Sequence, residues 1–295
     1  MFFLNKYFQN LFLRRLISRK NLDCRIPVYF YRRHLPRLVN GGIFLIFFTY
    51  SLYAQESSTI YPFGVGEYVK YDAYYNWKFI WLSAGTAEFH VADTLFEGIP
   101  SFHFKSGGRS HSNYDWFFKV RERFESVAQK VDLAPLWFVR DSYEGGYKAF
   151  NRYSYRYADS ALIVDSYTSE RPYKQKKFKI EKRTYDVLSA IYYCRTIDFG
   201  KLTKGECVPL TMAIDDGIYD LFIRYLGTEK IKHRNGQVVD SYKFSVMLVE
   251  GTIFRGGEDM LVWVSTDNRK IPIVVEAKIL VGSVKAYLAD YRFER

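Results

Sequence analysis

Thr184–Thr196, TYDVLSAIYYCRT, decides how the rest of this chain is read. Asp186 is a good N-cap, because its short carboxylate accepts from the free N–H groups two and three residues on and suits the positive end of a helix. Leu188, Ile191, Tyr192 and Arg195 follow at i, i+3, i+4 and i+7, the spacing of one helical face. Val187, Ala190, Tyr193 and Cys194 make the other faces apolar too, so the helix is expected to be covered on most sides. Arg195 stands in the last turn, where a cation is favoured, and Asp198-Phe199-Gly200 is expected to end the element at its glycine.

Working outward, both flanks read as strand. Tyr68, Lys70 and Asp72 alternate with Val69, Tyr71 and Ala73, the period of a half-buried strand over Gly66–Trp77. Gly85 interrupts the next strand, Lys78–Asp93, where a bulge or bend is expected. Phe96–Pro100 is a turn, Ser101–Lys105 returns, and Gly107–Asp115, GGRSHSNYD, reads as a loop. Trp116-Phe117-Phe118 is expected to make one helical turn before a strand at Val120–Gln129. Pro135–Ser142, Tyr147–Tyr157, Ala161–Tyr167 and Lys176–Arg183 complete the first flank. Downstream, Cys207–Ile214 and Ile218–Leu226 flank Asp215-Asp216-Gly217, and Thr228–His233 and Val238–Val249 flank Asn235-Gly236, both hairpin signals. A glycine-containing turn at Phe254–Asp259, and strands at Leu261–Ser265, Ile271–Leu280 and Val284–Arg292, end the chain. About a dozen strands without βαβ alternation exclude a nucleotide-binding α/β fold. The expectation is a mainly β protein: a curved antiparallel sheet, half-barrel or open barrel, with one central helix near 186–196. Gly66-Glu67 echoes Gly205-Glu206, and Gly85-Thr86 echoes Gly227-Thr228, which would suit two similar halves, 66–183 and 205–292.

The formal charge of +11 on 295 residues is unevenly spread. Residues 1–54 hold nine Lys/Arg and one acid, Asp23, whereas the remainder holds 34 bases and 31 acids. The basicity therefore belongs to a leader and not to a nucleic-acid-binding face. Arg32, Arg33 and Arg37 precede the apolar run Gly41–Leu52, and Ala54 is a small residue at a cleavage point before Gln55. The run is shorter than the roughly 20 residues a spanning helix needs. A signal peptide over 1–54, with its start set too far upstream, and a single β-rich domain over 55–295 are expected, exported to the periplasm and soluble after cleavage. Membrane contact is then at most peripheral. The 26 Tyr and 25 Phe suit a sheet with one packed and one wet face.

Cys24 would leave with the leader. Cys194 and Cys207 either form a bridge, which an oxidising compartment permits, or stay buried and unpaired. No CxxC is present, so a thiol–disulfide active site is not expected. Ser110 beside His111 lacks the G-x-S-x-G elbow of a lipase-type nucleophile. Among His90, His103, His111 and His233 no two have the close spacing of metal ligands on one strand or helix, and no metal or other cofactor is expected. Phosphate-cradling glycine loops with a following Lys-Ser/Thr are missing. Glu144, Asp115, Glu258 and Asp267 stand at loops and leave paired-carboxylate glycoside hydrolysis open, since such partners converge in space. The basic run Arg171–Arg183, RPYKQKKFKIEKR, is a charged edge strand or a contact for anionic lipid or an acidic polymer through Lys174, Lys176, Lys177 and Lys179.

Several features together resemble an exported bacterial family, the domain of unknown function 3108 family. They are Gly66-Glu67 with Tyr71, Lys119–Ser126 (KVRERFES), Glu144-Gly145 with Tyr147, and Asp186–Arg195. Gly205-Glu206, Gly227-Thr228-Glu229, and Trp263-Val264-Ser265 with Asp267 and Pro272 continue the pattern. The resemblance implies an envelope location and a β-rich fold, and it carries no activity. Three readings follow: a non-catalytic protein that binds a lipid or glycan envelope component or a partner, a hydrolase of envelope polysaccharide, and a structural component of an envelope complex. A carrier calls for an apolar cavity under the helix, a hydrolase for two carboxylates in an open cleft, a structural protein for neither.

Overall fold

The computed structural model describes residues 60–77, 80–249, 257–278 and 282–293. The expected leader, the first half of the turn expected at Phe254–Asp259, and residues 78–79, 279–281 and 294–295 lie outside them. Before the helix run β1 (Tyr68–Trp77), β2 (Ile80–Phe96), β3 (Ile99–Ser110), β4 (Val120–Gln129), β5 (Pro135–Glu144), β6 (Tyr147–Arg156), β7 (Ala161–Thr168) and β8 (Arg171–Lys179). A short helix, α1 (Asp115–Phe118), separates β3 from β4. A two-residue strand, β9 (Thr184–Tyr185), leads into α2 (Val187–Arg195). After it come β10 (Cys207–Ile214), β11 (Gly217–Lys232), β12 (Val238–Leu248), β13 (Gly257–Ser265), β14 (Pro272–Lys278) and β15 (Ser283–Arg292).

All fifteen strands belong to one sheet, in the order β8 to β1, then β15 down to β9. Neighbouring strands pair antiparallel except β9 with β10, and two pairings break the simple meander. The first strand pairs with the last, β1 with β15, Tyr68 opposite Arg292. β9 pairs parallel with β10. The sheet's free edges, β8 and β9, are thus consecutive in the chain, and no backbone ladder joins them: an open sheet, as expected, curled around a helix. α2 touches both flanks, β3 and β4 on one side, β9 and β10 on the other.

Alternation fixes which residues turn inward. Phe102, Phe104, Phe124, Phe138, Tyr153, Leu162 and Val164 line the inner face of β3–β7 and close on Leu188 and Tyr192 of α2. Tyr192 stacks on Phe104 with ring centroids 3.9 Å apart, while Ala190 packs with Leu210 and Met212 of β10. Beyond the helix, Phe199 stacks on Phe244 with centroids 5.1 Å apart in a second cluster with Ile223 and Tyr225. The helix therefore serves as core for both flanks, which is why its sequence is apolar on more than one face.

Gly85 lies where the expected bulge is: the β1–β2 register shifts between Ala73 and Tyr74. A Cβ on Gly85 would stand 2.1 Å from the Arg109 carbonyl oxygen, so only glycine permits this approach. The Gly-Glu echo has matching geometry. Gly66 N donates to Val91 O and Val91 N to Glu67 O, as Gly205 N donates to Tyr225 O and Tyr225 N to Glu206 O. The Gly-Thr echo does not: Gly85 precedes Val91 in β2, whereas Gly227 follows Tyr225 in β11.

Four local expectations are corrected. β3 runs on to Ser110 through Gly107-Gly108, so GGRS is strand and only His111 onward is loop. Both glycines stay in the ladder, Gly107 opposite Glu88 and Gly108 opposite Ala87, with Ser106 before them and Arg109 after them also paired to β2. α2 stops at Arg195 with Thr196 as its cap in αR geometry, before the glycine is reached. Residues 218–232 form one strand instead of two, its register slipping between Tyr225 and Gly227. Thr184–Tyr185 adds a parallel strand too short to show periodicity.

Candidate functional site

α2 is locked at both ends. At its N-terminus the Asp186 carboxylate accepts from Leu188 N and Ser189 N, both at 2.9 Å, and from Ser126 Oγ of β4 and Ser189 Oγ, both at 2.8 Å. Burial outweighs these donors and pushes the Asp186 carboxyl up to about 6. At the C-terminus Arg195 forms a buried bidentate pair with Glu67, at 2.5 and 2.9 Å. Its guanidinium also donates to the carbonyls of Pro62 and Arg269. The same cation lies over the Phe63 and Tyr192 rings. Sequence reading saw Arg195 as a helix-end cation and missed Glu67, which no spacing rule connects to it. Under the helix the space is filled by Tyr192, Phe104 and Phe63, so the apolar cavity expected of a carrier is replaced by packed rings.

Cys194 is a free thiol and does not bridge Cys207, which is itself disulfide-bonded, so neither the Cys194–Cys207 bridge nor a pair of unpaired thiols is formed. The Cys194 side chain is taken up between two apolar clusters, with Phe199 and Ile223 in one and Leu210 in the other, and burial pushes the thiol up to about 12. Nor do the four lysines of the basic run form one patch. Lys174 and Lys176 share the inward row of β8 with Phe178, opposite Ser166, Val164 and Leu162. Lys177 and Lys179 point the other way. Lys176 is held by the Asp216 carboxylate at 2.6 Å, and Lys179 by Glu181 at 2.8 Å.

The acids noted in loops are also dispersed. Asp115 pairs with Arg121, Glu258 with Arg224, and Asp267 with Arg269. Glu144 instead meets Glu122 on the inner face of β4–β5, 3% and 7% exposed. Burial first, and then the Glu122 charge, push the Glu144 carboxyl up to about 8. Ser142 Oγ donates to Glu122 Oε2 at 2.7 Å, and Arg140 approaches Glu144 Oε1 at 3.5 Å. Glu122 Oε1 is buried with no hydrogen-bond partner among the described residues, and the protonated Glu144 carboxyl is the neighbouring group with a proton to offer it. Two carboxylates do converge, but both side chains are buried among the strands instead of facing each other across an open cleft, as glycoside hydrolysis requires.

The opposite face of the same strands carries an open cleft of about 460 Å³. Thr86, Arg109, Arg121 and Tyr143 form one cross-strand row, and Glu88, Gly107, Arg123 and Asp141 the next. Gly107 leaves the floor bare between them. Arg121 is committed to Asp115, at 2.5 and 3.1 Å, and Arg123 approaches Glu125 at 3.3 Å. Arg109 is exposed over the cleft. Sequence reading placed Gly107–Arg109 in a loop, which hid their cross-strand partners.

The family profile described as "Protein of unknown function (DUF3108)" matches residues 70–289. The chain belongs to the DUF3108 family. This DUF3108 chain is also similar to a solved structure titled "Crystal Structure of Beta-barrel-like Protein of Domain of Unknown Function DUF1849 from Brucella abortus". That likeness covers 78% of this chain and 98% of the other, at a TM-score of 0.52 and 9% identity, and speaks for the fold alone. No curated protein matches the DUF3108 chain by sequence. The match takes in β2 to β14 whole and, with them, α2, the Glu122–Glu144 pair and the cleft above Gly107.

Proposed function

We propose that this DUF3108 protein is an exported, non-catalytic binding protein of the bacterial envelope, and that it takes the anionic head of an amphiphilic envelope component in the cleft above Gly107. The observation that carries this reading is the set of three arginines, Arg109 and Arg121 in one row and Arg123 in the next, around a floor left bare at Gly107. Guanidinium groups present planar donor forks suited to phosphate and carboxylate oxygens, and Tyr143 offers an apolar wall with a polar tip. A bound anion would compete with Asp115 and Glu125 for Arg121 and Arg123, and would find Arg109 ready. Under α2, Phe63, Phe104 and Tyr192 pack ring against ring. The leader of residues 1–54 supports export.

Native mass spectrometry tests the reading on protein expressed with its leader and purified from the periplasm without detergent. Its mass is expected to place the N-terminus near Gln55 and to show an adduct of several hundred daltons that is lost on denaturation and absent from Arg109→Glu. A clean mass for the wild-type protein, or an adduct indifferent to Arg109, turns the reading toward a structural component of an envelope complex.

A further inference from the structure

Beside the cleft, α1 displays two large apolar side chains to water. Trp116 is 84% exposed and Phe117 69%, with Tyr114 exposed just before them. No residue of α1 is buried. A floppy loop could hide such side chains; this one is clamped. Asp115 accepts from Ser110 Oγ at 2.6 Å and from both amino nitrogens of Arg121, and Ser110 Oγ in turn accepts from Val120 N at 3.0 Å. Phe118 lies on Gly145, where a Cβ would come within 2.3 Å of its ring, and Gly145 N donates to Lys119 O at 2.8 Å. Trp116 and Phe117 are therefore held outward by a rigid base.

The surroundings say what they face. The turns after β5 and β7 lie at the same end of the sheet as α1, because alternate strands return there. Along these segments Lys119, Lys148 and Arg171 are exposed, against one exposed acid, Glu170, while Asp115 is neutralised by Arg121. Indole and phenyl rings beside cations match the chemistry of an anionic bilayer surface, apolar below and negatively charged at the headgroups. We infer that the Trp116–Phe117 turn docks this protein onto a membrane surface rich in anionic phospholipid. The inference is independent of the cleft: Arg109 tests one and α1 the other.

The test uses the full chain expressed with its leader, wild type and Trp116→Ala/Phe117→Ala, with vesicles of phosphatidylethanolamine and phosphatidylglycerol or of phosphatidylcholine alone. Because α1 buries nothing, the double variant is expected to keep the wild-type circular dichroism and melting temperature. Binding to the anionic vesicles is expected to fall at least tenfold in the variant and several-fold for the wild type in phosphatidylcholine. Brominated lipid is expected to quench Trp116 fluorescence, read as the difference from Trp116→Phe; residues 1–54 contain no tryptophan, so a retained leader cannot mimic this signal. Equal binding by the double variant together with unquenched Trp116 overturns the inference. So does a self-association of the wild type that the double variant abolishes while vesicles leave Trp116 unquenched, since the turn would then face a second copy.

Discussion

Glu144→Gln tests the buried acid pair through the pH dependence of stability. In the unfolded chain Glu144 loses its proton near 4.5, whereas in the folded protein it keeps it to about 8. Between these values the folded state binds more protons than the unfolded state. The contribution to stability is therefore complete below pH 4.5 and declines as pH rises toward 8. At about 1.4 kcal/mol per pH unit, the interval from 4.5 to 7.5 caps the effect at about 4 kcal/mol. Relaxation around the pair lowers this, and an expected gain for the variant is about 2 kcal/mol at pH 7.5 and nearly nothing at pH 4.5. The amide supplies the donor that Glu122 Oε1 needs at every pH and keeps an acceptor toward Arg140. Urea unfolding at the two pH values, with m unchanged, reads the difference. A variant equally affected at both, or destabilised more at pH 7.5 than at 4.5, refutes the shared proton.

Arg195→Ala is expected to cost about 3–5 kcal/mol in the same assay, because it strands the buried Glu67 carboxylate; the double variant Glu67→Gln/Arg195→Met should recover part of that loss. Tyr192→Ala removes the ring stacked on Phe104 and should cost about 3–5 kcal/mol, whereas Tyr192→Phe keeps the ring and should cost at most about 1.5 kcal/mol, both read by urea titration. Gly145→Ala places a side chain at a φ of 55° and against Phe118. It should lose about 2 kcal/mol, seen in thermal melts together with a changed Trp116 emission as the base of α1 shifts.

The sequence announced what depends on neighbours in the chain. Asp186 reads as a cap and is one, and Val120–Gln129 and Cys207–Ile214 come out with the expected bounds. What it concealed depends on register. Arg109, Arg121 and Tyr143 share a row only because β3, β4 and β5 pair in one alignment, and a slip by one residue would turn each to the other face. Gly107-Gly108 looked like a turn because glycine is the usual mark of one. Here it lies within a strand, where a bare floor opens a cleft. Glu144 reads as a loop acid and Glu122 as one charge among several in KVRERFES, and only burial on the inner face makes them a pair.

The same register logic explains why this sheet can stop at fifteen strands without closing. An open edge invites another strand, and both edges here are blunted. β9 is two residues long, and β8 is exposed along most of its length, with Lys174, Lys177 and Lys179 among its exposed residues. Across the gap the tip between β10 and β11 reaches the first flank by side chains. The Asp215 carbonyl accepts from Tyr153 Oη at 2.9 Å, and its carboxylate takes Arg140 at 2.9 Å. Asp216 and Asp220 take Lys176 and Lys182. Ion pairs at a partly wet seam each contribute under about 1 kcal/mol, too little to force closure. The buried rings of α2 supply the apolar contact that holds the flanks together. Basic residues of the 171–183 run thus serve the seam first: Lys176 and Lys182 are tied to the opposite flank, which leaves the exposed cations beside α1 as the better match for an anionic surface.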